Sequence, residues 1–322
     1  MTSAVRFSAG HARVRALKSR LWTSLDRALI LRAGVQPDGR PLSGEPDLVF
    51  PELVRWYAIV LRLYPAAQPL VTWMLRLHEI ENLKLLWRAA LRGRPPIRAC
   101  WRPLDPLATI SFEPRATPPD ALVHRLARTP YGAIARTLMR SHPVDLPATE
   151  IGLDRWVWGG LYDAAVDLPP SEQTARRLAL RLILEHDLDL LRRGTSFGLE
   201  ADLVAKSTVV LSRECRIPAL TLAASWRPAD GPLARVLPPR LLRLAPAAAT
   251  WDDVLRGARR ARLAACHRAF VGWPFQLAPA IATLMLRDAQ ARAAVSLAAA
   301  RRARPAAHAA LTVALAASEL EY

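Results

Sequence analysis

Lysine is nearly missing from this chain. Three of its 45 basic residues are lysines (Lys18, Lys84 and Lys206), and the other 42 are arginines. Such a bias, beside abundant alanine, is the mark of a GC-rich coding sequence, so a single arginine is weak evidence of a selected contact. Cysteine is scarce too. Cys100, Cys215 and Cys266 are odd in number, far apart and free of CxxC spacing, which excludes a disulfide framework and points to a reducing compartment. No apolar stretch is long enough to span a bilayer. The uncharged stretch Phe270–Leu286 has 17 residues and contains Gly272, Pro274 and Pro279, short of the ~20 a spanning helix needs. It is expected to be a buried helix with a proline-marked start. The N-terminus lacks the apolar core of a signal peptide. Period-two alternation is absent, which argues against strands.

Catalytic motifs are missing as well. GxGxxG, GxSxG, HExxH and zinc-spaced Cys/His sets do not occur, and Lys206-Ser207 imitates the end of a phosphate-binding loop but has Ala205 where glycine is required. Asp252-Asp253 lacks the third acid of a metal-binding acidic motif.

What is present is apolar and helical. Of 322 residues, 52% are hydrophobic, and the formal net charge is +17; disorder is excluded by that apolar content. A chain this long can bury a substantial core and is expected to form two or three domains. Apolar residues three and four apart predict helices over Arg13–Trp22, Pro51–Tyr64, Leu70–Leu91, Ala121–Arg140, Leu153–Asp167, Gln173–Arg193, Trp251–Val271, Pro279–Arg304 and Ala306–Glu319. Gly93 and Gly194 are the expected stops of two of them, Pro51 opens another, and Ser171 lies near an N-terminus. Two proline-rich stretches, Pro103–Pro119 and Pro218–Pro239, are expected to be connections between domains or long loops.

Those stretches lie a little over a hundred residues apart, and a repeat follows the same spacing. Glu79, Glu185 and Asp288 are separated by 106 and 103 residues, and Glu81, Asp187 and Gln290 keep both spacings. Each pair interrupts a long apolar helix. Three helical units are therefore expected, at 1–112, 113–216 and 217–322. The acids have three readings: general acid/base groups, metal ligands, or structural ion pairs with arginines such as Arg88, Arg192 or Arg292. Residues two apart on a helix face different sides, which favours ion pairing. Two basic clusters stand out, Arg256/Arg259/Arg260/Arg262 and Arg301/Arg302/Arg304. Either is a solvated face or a grip on phosphates or an acidic protein surface. No aromatic-interleaved RNA-binding pattern accompanies them.

GHARVRALKSRLW (10–22) with HEIENLKLLWRAALRGRP (78–95) resembles the first repeat of the C-type subunit of archaeal and bacterial V/A-type rotary ATPases, the counterpart of the d-type subunit of the vacuolar membrane sector. LEHDLDLLRRGTSFGLEADL (184–203) resembles that family's second repeat, and residues 266–298 its third. In the third, Asp288 and Arg292 keep the family's character, Gln290 has lost a charge, and Ala293 replaces a polar residue. The resemblance implies an all-α protein of three similar domains in a pseudo-threefold funnel, without an active site, metal or cofactor. It implies Glu79, Glu81, Asn82, Glu185, Asp187, Asp288 and Arg292 as structural polar residues of the repeats. It also implies partners: a membrane proteolipid ring beneath the narrow side, and a central stalk of D/F type in the cavity. The protein would pass torque between ATP turnover and proton or sodium translocation, from the cytoplasmic face of the cell membrane. The basic clusters would meet acidic loops of the ring or anionic lipid headgroups. The competing classes are a basic all-helical nucleic-acid-binding protein and a metal-dependent helical enzyme.

Overall fold

The computed structural model describes residues 3–21, 46–142, 145–215, 251–271 and 276–303. Among them every regular element is helical and no strand occurs. The helices are α1 (Ser3–Lys18), α2 (Pro46–Leu63), α3 (Gln68–Arg92), α4 (Pro119–Leu126), α5 (Gly132–Ser141), α6 (Leu146–Val166), α7 (Gln173–Phe197), α8 (Ala201–Ser207), α9 (Val210–Arg213), α10 (Trp251–Ala269) and α11 (Ala278–Ala303). Trp22, the proline-rich stretch 218–239, Arg304 and the helix expected over 306–319 lie outside the described residues.

Local chemistry sets most of the boundaries. Gly93 ends α3 in the left-handed region at φ 59°, and Arg94 closes the turn by donating to the Ala89 carbonyl at 3.1 Å; only glycine takes that conformation freely. Asp145 caps α6, its carboxylate accepting from the Ala148 amide at 3.0 Å. Three expectations are corrected. Helix α7 runs through Gly194 to Phe197 and stops at Gly198, φ 62°. Helix α2 begins at Pro46, and Pro51 lies inside it. The single helix expected over Ala121–Arg140 is two, α4 and α5, broken around Pro130. A proline supplies no amide and pushes the residue before it out of helical space. There the chain turns so tightly that a Cβ on Gly132 would lie 2.7 Å from the Ala127 carbonyl oxygen.

Three helix pairs, α2/α3, α6/α7 and α10/α11, carry the architecture. Helix α3 packs on α6, α7 on α10, and α11 on α2, so the packing order returns to its start. Neighbouring helices run antiparallel. Along α3 and α6, Arg88 meets Glu150, Lys84 meets Asp154, and Trp73 meets Gly160. Along α7 and α10, Arg192 meets Asp252 and Glu185 meets Arg259.

The short turns inside the pairs meet at one end. The Leu277 amide, ahead of α11, donates to the Glu172 carboxylate at 2.8 Å. Burial, reinforced by that carboxylate, pushes the Tyr64 hydroxyl up to about 12. Helix α1 closes against the same end, where Gly10 leaves only enough room for the Tyr64 ring.

One apolar cluster runs without a break through all three pairs, with Trp56, Trp87, Tyr131, Leu161, Ile183 and Met285 fully or almost fully buried. A smaller one gathers α8 and α9 against α7 and α10 around Leu188, Leu191 and Val254. The proline-rich stretch after α3 is a long loop packed onto the core. Trp101, Leu104 and Ile110 are buried in the main cluster.

Candidate functional site

The acidic positions picked out by the repeat divide into two chemical roles. Glu79 and Asp187 hold the backbone of their own downstream chain. Glu79 is almost fully buried and accepts from the Thr109 amide at 2.5 Å, the Thr109 hydroxyl at 2.6 Å and the Tyr131 hydroxyl. Asn82, one turn on, clamps the same loop through both backbone groups of Arg102. Its amide nitrogen donates to the Arg102 carbonyl at 2.7 Å, and its oxygen accepts from the Arg102 amide at 2.8 Å. Asp187 is fully buried and accepts from the amides of Val209 and Leu211, both at 2.9 Å. Burial pushes its carboxyl up to about 7 despite those donors, because a charged group loses most of its solvation there.

The remaining repeat acids form ion pairs, and these or neighbouring ion pairs cross every junction between pairs of helices. At α3–α6, Lys84 is 2.6 Å from Asp154 and 2.9 Å from Glu81. Burial raises the Glu81 carboxyl, but Lys84 and Arg102 outweigh it and hold the group down at about 2. Burial raises Asp154, and Lys84 only partly offsets it. Arg88 reaches Glu150 at the same junction through two hydrogen bonds of 2.5 and 2.8 Å. At α7–α10, the Nε atoms of Arg259 and Arg262 share the Glu185 carboxylate at 3.0 and 2.7 Å. At the third junction Arg287 of α11 pairs with Glu52 of α2, and Asp288 lies 3.2 Å from His78 Nε2 of α3 while pairing with Arg292.

The His78 ring has one workable tautomer. Arg102 donates to Nδ1 at 3.1 Å and has no acceptor to offer, so the proton sits on Nε2, facing Asp288. That contact is in ion-pair range without hydrogen-bond alignment. Burial drives the imidazole down to about 4, so the ring is neutral at physiological pH.

These side chains surround water-accessible space. One cavity of about 240 Å³ is lined by Glu81, Lys84, Arg102, Trp158, His186 and Arg292 among others; a second, of about 220 Å³, lies among Glu185, Arg259, Arg262 and Arg292. Arg292 lines both, and half of its side chain is solvent-accessible (49%) although it sits between the helix pairs. The two cavities adjoin at Arg292 and are together termed the chamber. Arg88, Glu150 and Arg193 place it toward the helix ends opposite the turns.

Ion pairing is how the structure uses Glu81, Glu185, Asp288 and Arg292; Glu79 and Asp187 bond to backbone or hydroxyl groups instead. Arg88 goes to Glu150, and Arg192 to Asp189 at 2.8 Å. The cluster Arg256–Arg262 is not one outward basic face. Arg256 pairs with Asp253 on its own helix, Arg259 and Arg262 turn inward to Glu185, and Arg260 is half-buried. Arg301 and Arg302 fall on the last turn of α11. Asp187 lines neither cavity, and no cluster of three His, Cys, Asp or Glu suited to a metal exists among the described residues.

The sequence reading missed the Lys84–Asp154 pair, His186 stacked on Trp158 at 4.3 Å, and the close approach of Trp73 to α6. The last left a trace. Gly159-Gly160 inside a helix costs stability and marks tight packing; a Cβ at Gly160 would lie 2.4 Å from the Trp73 ring.

No protein-family model matches the chain, and a search of curated proteins finds no match.

Proposed function

We propose that this chain is a non-catalytic rotor coupling subunit of a V/A-type ATPase or ATP synthase. In this reading residues 1–112, 113–216 and 217–322 are three helical units closed into a pseudo-threefold funnel. Its narrow end sits on a membrane proteolipid ring at the cytoplasmic face, its chamber takes the foot of a central stalk of D/F type, and torque passes between them for proton or sodium translocation. The single observation that supports it best is the cyclic packing of three antiparallel helix pairs, with turns meeting at one end and polar cavities lying toward the other.

Torque transmission needs stiffness. Ion pairs at all three junctions between pairs resist sliding, and one continuous apolar core resists separation. No described helix is long and apolar enough to cross a membrane, so attachment in this reading is peripheral. Arg259 and Arg262 turn inward to Glu185, which makes one of the two basic clusters less suited to gripping a nucleic acid. The test is affinity capture of the tagged protein from gently solubilised membranes. Recovery of the ring and stalk proteins is expected; their absence from a stable preparation would refute the proposal.

A further inference from the structure

The chamber holds more hydrogen-bond donors than its own acceptors use. Seven cationic side chains line the two cavities against five carboxylates, with Asp288 behind Arg292 as a sixth. All five lining carboxylates are already engaged: Glu81 and Asp154 by Lys84, Glu150 by Arg88, Asp189 by Arg193, and Glu185 by Arg259 and Arg262. The donors are not exhausted in the same way. A guanidinium carries five N–H groups in a fixed fork. Among the described residues Arg259 spends only its Nε, on Glu185. Arg102 has no carboxylate in salt-bridge range among the described residues, and its one side-chain hydrogen bond goes to His78 Nδ1.

Arg102 is nevertheless held firmly. Asn82 pins its backbone N–H and carbonyl, and the Phe50 ring lies 5.5 Å from its guanidinium carbon. A fork fixed in place with its donors unspent is preorganised to bind, since little side-chain entropy remains to be lost. Apolar side chains stand among the cations, Val157 and Trp158 in one cavity and Leu263, Ala289 and Ala293 in the other. A lone ion would leave most of either cavity of about 240 or 220 Å³ unfilled. An aspartate or glutamate side chain reaching in from a bound segment brings the carboxylate on an apolar stem that suits both kinds of wall.

We propose that the chamber recognises a carboxylate-bearing protein segment, bound by the spare guanidinium donors of Arg102 and Arg259. The inference deepens the coupling proposal and rests on it for one thing, that the occupant is a protein. The donors select its charge. A basic segment would add like charge beside Arg102, Arg193 and Arg292 and find every chamber carboxylate taken.

The test is calorimetric titration of the full chain at low salt with a blocked helical Glu/Ala peptide of about 20 residues, long enough to hold helix in water. Matched Lys/Ala and Gln/Ala peptides and inorganic phosphate serve as comparison probes. One-to-one binding of the acidic peptide alone is expected, weakened about tenfold or more by Arg102→Gln or Arg259→Gln, as loss of a charged hydrogen bond requires. Arg62→Gln and Arg136→Gln, exposed positions on α2 and α5, remove the same charge outside the chamber and should leave affinity unchanged. Equal losses in these outer variants, equal binding of the neutral peptide, or displacement by millimolar phosphate would each overturn the inference. Should Arg102→Gln disturb folding by circular dichroism, Arg259→Gln, whose side chain is 40% exposed, decides alone. Ring and stalk recovered by capture with no peptide binding would sink only this inference. Peptide binding without ring or stalk would sink only the coupling reading.

Discussion

Lys84→Met tests the central ionic stitch between α3 and α6. The ammonium is 6% exposed and lies between Asp154, 7% exposed, and Glu81, 40% exposed, at 2.6 and 2.9 Å. Methionine keeps the length and apolar stem but removes the charge. Glu81 retains solvent and the field of Arg102, so its loss is small. Asp154 is left buried without its cation, and removing one member of a buried pair costs about 3–5 kcal/mol. That cost must depend on pH. The Asp154 carboxyl is already raised by burial with Lys84 pulling it down, so without Lys84 its folded value climbs further. A carboxyl raised in the folded state loses stability progressively as the pH climbs from its unfolded value toward its folded one. The penalty is therefore larger near about pH 8 than near about pH 5, changing by about 1.4 kcal/mol per pH unit inside that window. Urea denaturation at both pH values, with Asp154→Leu and the double variant, measures it. The double variant should recover most of the loss, because a buried pair replaced by apolar groups is near neutral. A single-variant cost under about 1 kcal/mol, or a double variant no better than the single, would refute the reasoning.

Asp187→Asn should flatten the stability profile. The Asp187 carboxyl stands at about 7 in the folded chain against an ordinary 3.8, so wild-type stability falls as pH rises between those values, and the wild-type minus Asn difference in unfolding free energy should track that window. Glu79→Ala should cost about 3 kcal/mol by stranding the Thr109 amide and the Thr109 and Tyr131 hydroxyls; hydrogen exchange should show protection lost in residues 101–112 before the helices. Gly160→Ala should destabilise by about 1–3 kcal/mol through overpacking on Trp73, whereas Gly159→Ala, whose Cβ would meet nothing nearer than 4.0 Å, should gain up to about 1 kcal/mol of helix propensity. Thermal unfolding of the two side by side separates steric crowding from a general intolerance of this helix to change.

The repeat shows how far a spacing can be read. Acids at 106-residue intervals give the correct helices and the correct depth along them, yet the matching roles lie 108 apart. Glu79 and Asp187 both fasten downstream chain, and each follows a histidine, His78 or His186, that packs against aromatic rings. The HE and HD dipeptides were visible in the sequence. Their common role was not, because an acid that accepts from a backbone amide leaves no partner residue type to search for.

Residue pattern was enough to dictate the all-helical class, the left-handed glycine after α3, the buried start of α11 at Pro279, and the depth of the acidic positions. These follow from interactions within four or five residues, or from an apolar stripe that has to be covered. Which charge meets which emerged only when the helices packed. Arg287 and Glu52 are 235 residues apart, Arg262 and Glu185 are 77 apart, and Arg88 and Glu150 are 62 apart. Among 42 arginines nothing in the sequence distinguishes the one that will face a given carboxylate. The chamber arises the same way, as the space left where three helix pairs close around polar side chains too long and too charged to pack dry.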